Sequence, residues 1–148
     1  KNYRISINNV EIYMINKIYD DFPIEMVKPF LVSPSDNRDM FSAKMSLPHN
    51  DLYAAIKRQH IFKNPFDAPS VVFEIKDNAV YLKNAHQSVE EQLEVMYTYL
   101  DNVKVSVSTE IIMEVLRNME DNITLYLGAQ AICLEDNQGF YIISAMED

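Results

Sequence analysis

Only two glycines, Gly128 and Gly139, occur in 148 residues, and that scarcity excludes a great deal. Loops that cradle phosphates and turns that hold dinucleotides need several glycines, because only a backbone without Cβ lets N–H groups approach the anion closely. Neither glycine here has that company, and both read as turn residues. Cysteine occurs once, as Cys133, so there is no internal disulfide framework. A single thiol in a hairpin position reads as a small packing residue and is compatible with a reducing compartment. The three histidines, His49, His60 and His86, form no His-x-x-x-His pair, and no acidic cluster stands near them at metal-ligand spacing. Neither a metal nor a cofactor is expected. No apolar run approaches the length needed to cross a bilayer, and the opening Lys1-Asn2-Tyr3-Arg4 has no signal-peptide core, so a cytoplasmic protein that engages no membrane is expected. Local signatures of a serine or cysteine nucleophile are missing too, which argues against an enzyme.

What is present is apolar and repetitive. With 48% hydrophobic residues the chain has enough to bury a sizeable core, and its length suits one domain with a little more. It opens on Lys1 rather than methionine, as expected of a polypeptide that is processed, excised from a larger one, or the ordered part of something longer. The stretch from Phe73 to Leu82 lies over that from Leu125 to Leu134 without a gap, so that Phe73, Ile75, Ala79, Val80 and Leu82 match Leu125, Leu127, Ala131, Ile132 and Leu134. Each reads as a strand, a tight turn and a strand. Upstream of each, an alternating segment runs into a helical pattern: Phe41 to Leu47 into Leu52, Ala55 and Ile56, and Val103 to Val107 into Ile111, Ile112, Val115 and Leu116. Downstream comes one more alternating run, Leu93-x-Val-x-Tyr97 and Phe140 to Ala145. The unit is strand, helix, three strands, and it occurs twice.

The remaining segments frame the two units. Tyr3 to Ile7 and Val10 to Tyr19 alternate as strands around Asn8-Asn9, a hairpin that precedes the repeats and belongs to neither. Pro29 to Asp39, rich in proline, serine and asparagine, marks a connection. Pro48 suits the first turn of the first helix, with Asp51 answering the helix dipole, and Ser108 or Thr109 caps the second. The insertion from Lys63 to Ser70 has no counterpart in the second unit and reads as a loop.

Charge is unevenly placed. Between positions 44 and 63 stand Lys44, Lys57, Arg58 and Lys63 against Asp51 alone, in a chain whose formal charge is −9. On a helical wheel Leu52, Ala55 and Ile56 form the buried stripe, while Asn50, Ala54, Lys57 and Arg58 fall on the opposite half. The first helix is therefore a basic island on an acidic body. The outward half of the second helix reads as Glu110, Met113, Glu114 and Arg117, which is not basic.

Taken in order, Glu11 to Asp21 with Phe22-Pro23, a linker, the Asn50-Asp-Leu-x-x-Ala-Ile56 helix start and the closing run Tyr141 to Asp148 resemble the bacterial DNA polymerase sliding clamp, the β subunit of the replicative polymerase. The resemblance covers essentially the whole chain. It implies an α+β DNA-clamp fold, in which the duplicated unit packs two adjacent helices on curved antiparallel sheets. Residues 1–30 would be the terminal strands and linker of a preceding clamp domain, and 31–148 the C-terminal clamp domain. The resemblance also implies a non-enzymatic homo-oligomeric ring around duplex DNA, with phosphate contacts from Lys57, Arg58, Lys63 and Lys44 and no reading of sequence. A second surface is implied, a hydrophobic groove in which the polymerase, the clamp loader and repair proteins dock short peptides. Carried over position by position, its lining is Pro23, Val27, Ser108, Ile111, Ala129, Ala131, Ile142, Ser144 and Met146. The chain closes on Met146-Glu147-Asp148 where the family has a proline and a basic residue, an acidic end that repels acidic peptides. Two other readings stay open: a clamp-like module or decoy that regulates replication without encircling DNA, and an enzyme with a dispersed site.

Overall fold

The computed structural model describes residues 2–7, 10–15, 34, 37–61, 69–84 and 89–146. In chain order these hold strands β1 (Asn2–Ile7), β2 (Val10–Ile15) and β3 (Ala43–Pro48), helix α1 (His49–Ile61), and strands β4 (Ser70–Lys76), β5 (Ala79–Asn84), β6 (Glu90–Leu93), β7 (Met96–Leu100) and β8 (Val103–Ser108). Helix α2 (Thr109–Arg117) and strands β9 (Asn122–Leu127), β10 (Ala131–Asp136) and β11 (Gly139–Ser144) complete them. Seven strands form one sheet in the order β1-β2-β11-β10-β9-β3-β7, and four form another in the order β6-β5-β4-β8. All neighbours run antiparallel except β2 and β11, which are parallel.

The repeat in the sequence is a repeat in space. Strands β4 and β5 pair Phe73 with Leu82 and Ile75 with Val80, while β9 and β10 pair Leu125 with Leu134 and Leu127 with Ile132, matching the sequence alignment residue for residue. The leading strands are exchanged between units: β3 pairs with β9, setting Met45 against Leu125, and β8 pairs with β4, setting Val105 against Phe73. Each sheet is therefore built from both units. Even the helix entries are twinned, with the His49 amide donating to the Asp121 carbonyl at 2.9 Å and the Thr109 amide to the Pro69 carbonyl at 3.1 Å.

Alternation decides which side chains turn inward. On β3, Ala43, Met45 and Leu47 are buried while Lys44 and Ser46 face out. The two helices lie side by side and bury equivalent stripes, Leu52, Ala55, Ile56 and Gln59 on α1 against Ile112, Val115 and Leu116 on α2 with Met119 just beyond it. These residues and the inward side chains of both sheets make one core, each large aliphatic contributing about 1.5–3 kcal/mol of burial. Ser108 caps α2, its Oγ accepting from the Ile111 amide at 3.4 Å. Pro48, expected inside the first turn of α1, instead ends β3 at the position equivalent to Ser108. The β4–β5 turn is Asp77-Asn78 with φ of 53° and 59°, the two-residue hairpin whose twist suits its strands.

One expected strand is broken. The run Leu93-x-Val-x-Tyr97 divides at Glu94-Val95: β6 pairs with β5 in the four-stranded sheet, and β7 crosses to β3 in the other. The second unit repeats the crossing at its end, where the Met146 amide donates to the Ser106 carbonyl of β8 at 2.7 Å. Met146 thereby takes the place that Met96 holds opposite Ser46. The insertion between the first helix and its hairpin is described only at Pro69 and Ser70, and Asn8-Asn9 lies outside the described residues.

The outer faces of the two sheets differ in chemistry. On the seven-stranded sheet Phe41, Tyr126, Ala131, Cys133 and Ile142 form a second apolar cluster, edged by Met40 and Phe140. Burial, and then the nearby Glu135 charge, pushes the Cys133 thiol well up, in keeping with a packing role. The four-stranded sheet carries an ion-pair ladder instead. Lys83, 7% exposed, donates to Glu74 at 2.5 Å and lies 3.2 Å from Glu90, which also meets Lys76 at 3.2 Å. The Lys83 bond holds the Glu74 carboxyl below its ordinary value, and the Glu74 bond raises Lys83.

Glu74→Gln should therefore cost about 1 kcal/mol at neutral pH, low in the usual range because Glu90 still answers Lys83. Glu74's contribution is present above the ordinary glutamate pKa of about 4.3 and is lost as pH falls through its lowered value. Lys83's is complete below the ordinary lysine value of about 10.4 and is lost as pH rises through its raised one. Urea denaturation of both proteins across pH checks this: the difference should be flat between those limits and vanish in strong acid. A difference persisting there would trace the loss to something other than the ion pair.

Candidate functional site

Helix α1 exposes Asn50, Asp51, Lys57 and Arg58, and α2 beside it exposes Glu110, Glu114 and Arg117. Met113, expected on this outward half, turns into the core instead, 8% exposed and part of the main apolar cluster. The three cations of the two helices are matched by three acids, so the paired face is balanced rather than basic. Arg58 is also engaged from outside the helix. Its Nε donates to Glu91 Oε1 and Oε2 at 3.1 and 3.3 Å, and its Nη2 donates to Oε1. That bond, outweighing the opposing desolvation and joined by the attraction of the Glu91 and Asp51 charges, raises the Arg58 pKa. Lys57 is exposed.

Lys44 does not join them. Strand alternation places it on the outward side of β3, away from the helices, with its Nζ 5.6 Å from the centre of the Tyr126 ring. Lys63 lies outside the described residues. Of the four basic positions expected on one face, the structure thus sets Lys57 and Arg58 together on α1 and separates Lys44 by the thickness of the sheet.

Four of the groove positions, Ser108, Ala129, Ser144 and Met146, stand on the segments that meet where β11 leaves its sheet. Ser144 pairs with Ala131, the Ala145 amide donates to the Gln130 carbonyl at 2.9 Å, and Met146 is bonded to β8, the strand that ends in Ser108 and leads into α2. Ala129 is exposed, and Ser108, Ser144 and Met146 are half-buried. Three other positions are covered: Ile111 is packed into the main core, while Ala131 at 0% and Ile142 at 1% exposure lie in the outer cluster. Phe41 and Tyr126 close that cluster, their ring centroids 5.8 Å apart, and Tyr126 ties its hydroxyl to Glu135 at 3.2 Å. Pro23 and Val27 lie outside the described residues.

Two participants are not apparent from local pattern. Tyr126 has outward parity on β9 and Phe41 stands just before β3, so their meeting depends on where the linker runs. Glu91, at inward parity on β6, is visible in the sequence only as a charge breaking an apolar alternation. Among the described residues no group of three His, Cys, Asp or Glu is placed to hold a metal.

No protein-family model and no curated protein matches the sequence. Solved structures do match, and those compared are bacterial clamp subunits. A protein of Eubacterium rectale described as a DNA polymerase III β subunit is 16% identical, with 99% of this chain and 41% of that one covered at a TM-score of 0.65. The DNA polymerase III β subunit of Thermotoga maritima is 19% identical over 92% of this chain and 36% of its own, at 0.64. That of Pseudomonas aeruginosa is 16% identical over 72% and 31%, at 0.59. The chain has the DNA-clamp fold, two helices packed on antiparallel sheets, and spans 31–41% of the length of these clamp subunits.

Proposed function

We propose that this chain is the C-terminal part of a DNA sliding clamp, a processivity factor that encircles duplex DNA and docks replication and repair proteins. The observation that carries the reading is the pair of neighbouring helices packed on antiparallel sheets, the fold this chain shares with the DNA polymerase III β subunits. In this reading residues 1–30 close the preceding clamp domain and 31–148 form the last one. The helices line the hole of a homo-oligomeric ring, and the corner around Ala129, Ser144 and Met146 receives short peptides from the polymerase, the clamp loader and repair proteins. The protein is non-enzymatic and cytoplasmic; no helix among the described residues is long and apolar enough to cross a membrane.

Lys57 is the principal phosphate contact on α1, because Arg58 is already engaged by Glu91. Lys57→Glu in the intact protein should weaken retention on nicked circular duplex several-fold and flatten the dependence of log K on log salt by about 0.9, the change expected when one phosphate is no longer neutralised. Retention assays on nicked plasmid across a salt series read both quantities. Unchanged retention would remove DNA from this face.

The balanced charge of the helix pair favours a second reading, a clamp-like module that offers its peptide corner to replication proteins without holding DNA. Solution mass of the intact protein separates the two: a ring-sized oligomer supports the clamp, and a monomer supports the module.

A further inference from the structure

We propose that Glu91 acts as an intramolecular stand-in for DNA phosphate, occupying the Arg58 guanidinium so that the first helix holds duplex less tightly than its sequence allows. The inference rests on the clamp reading and deepens it. Arginine's planar fork fits a carboxylate and a phosphate in the same two-pronged way, so occupation by one excludes the other. Here both prongs are taken, through Nε and Nη2.

The second unit serves as an internal control. Register places Glu91 opposite Leu82 on β6, and the equivalent residue on β11 is Tyr141, opposite Leu134. At the helix position equivalent to Arg58 stands Asn118, just beyond α2. Neither member of the ion pair is therefore demanded by the architecture, which builds the same corner from a tyrosine and an asparagine. The pair also stands open to solvent, with Arg58 56% exposed and Glu91 27%, so a phosphate arriving from solution can compete for the guanidinium. What the pair does change is the field at the helix face. Without Glu91 the exposed charges of the two helices balance; with it the acids prevail.

The test is a double-mutant cycle in the intact protein, with fluorescein-labelled random-sequence duplex titrated by anisotropy over a salt series and circular dichroism confirming each fold. Glu91→Gln should tighten binding about threefold or more at low salt and steepen the salt slope by about 0.9, the signature of one further phosphate being neutralised. Arg58→Gln alone should leave affinity within about twofold, since that side chain is already occupied, yet in the Glu91→Gln background it should erase the whole gain. Lys57→Gln reports separately on the clamp reading. If it weakens binding while Glu91→Gln changes nothing, the clamp reading stands and the stand-in is overturned. If neither variant alters binding, this face does not meet DNA and both fall. A loss of affinity in Arg58→Gln equal to that in Lys57→Gln would also overturn the stand-in, because Arg58 would then be reaching phosphate in the wild type.

Discussion

Gly128→Ala should destabilise the protein by about 2–4 kcal/mol, the cost of overpacking together with the partial withdrawal of a buried aromatic. A Cβ built at this position falls 2.0 Å from the carbonyl oxygen of Met40, 3.1 Å from its carbon and 3.3 Å from the Ala131 oxygen. These are backbone atoms, with no flexible side chain to swing aside. Around the contact the Ser42 amide donates to the Leu127 carbonyl at 2.8 Å and the Gly128 amide to the Ala131 carbonyl at 3.0 Å, so the segment entering β3 is laid flat on the β9–β10 turn. Forcing it away lifts Phe41 from the cluster it shares with Tyr126, Cys133 and Ile142. Urea unfolding measures the loss, and limited proteolysis should show new cleavage between residues 37 and 41. A change under about 0.5 kcal/mol, typical of a surface substitution, would mean that this segment is not seated on the turn.

Gly128 also shows what a sequence reveals and what it withholds. Scarcity of glycine points to both glycines as turn residues, and Gly139 fits, with φ of 154° after the Asn137-Gln138 turn. Gly128 sits in a turn for another reason, the close approach of a distant backbone, which no local pattern records. The duplication is legible because strand parity and helix spacing are local, and the two hairpins keep one register through Phe73 and Leu125. The exchange of leading strands is not, since pairing β3 with β9 joins residues far apart in sequence. Breakage of the Leu93–Tyr97 run is hidden for a similar reason: alternation continues through Glu94-Val95 although the strand changes sheets there. On the helix face, the wheel places Lys57 and Arg58 outward but says nothing of Glu91, whose approach depends on the sheet beneath. Lys44 illustrates the converse. Its nearness to the basic helix in sequence suggests a shared face, whereas the strict alternation of β3 sends it to the other side of the sheet.

On the proposed clamp reading, peptide docking at the Met146 corner carries the largest expected effect on function. A clamp-binding peptide presents a glutamine followed by leucine or phenylalanine anchors, and burying one such anchor contributes about 1.5–3 kcal/mol before ordering costs. Met146→Asp should therefore weaken binding about ten- to a hundredfold, at a factor of ten for each 1.4 kcal/mol. The fold should survive, because Met146 is half-buried and is held through its backbone amide on Ser106, which aspartate retains. Ile142 offers no such separation. At 1% exposure inside the cluster closed by Phe41 and Tyr126, a charge there would unfold the sheet before it reported on a ligand, so loss of binding in Ile142→Asp would carry no information about docking. Ala129, exposed on the turn beside Gln130, supplies the independent second variant, and Ala129→Glu should add to the loss if both residues rim one groove. Calorimetric titration of the intact protein with a polymerase-derived peptide measures each step, with thermal melting as the check on folding. Full affinity in a folded Met146→Asp, Ala129→Glu double variant would show that the anchors enter elsewhere, since two charges cannot stand at the mouth of an apolar pocket without opposing its occupant.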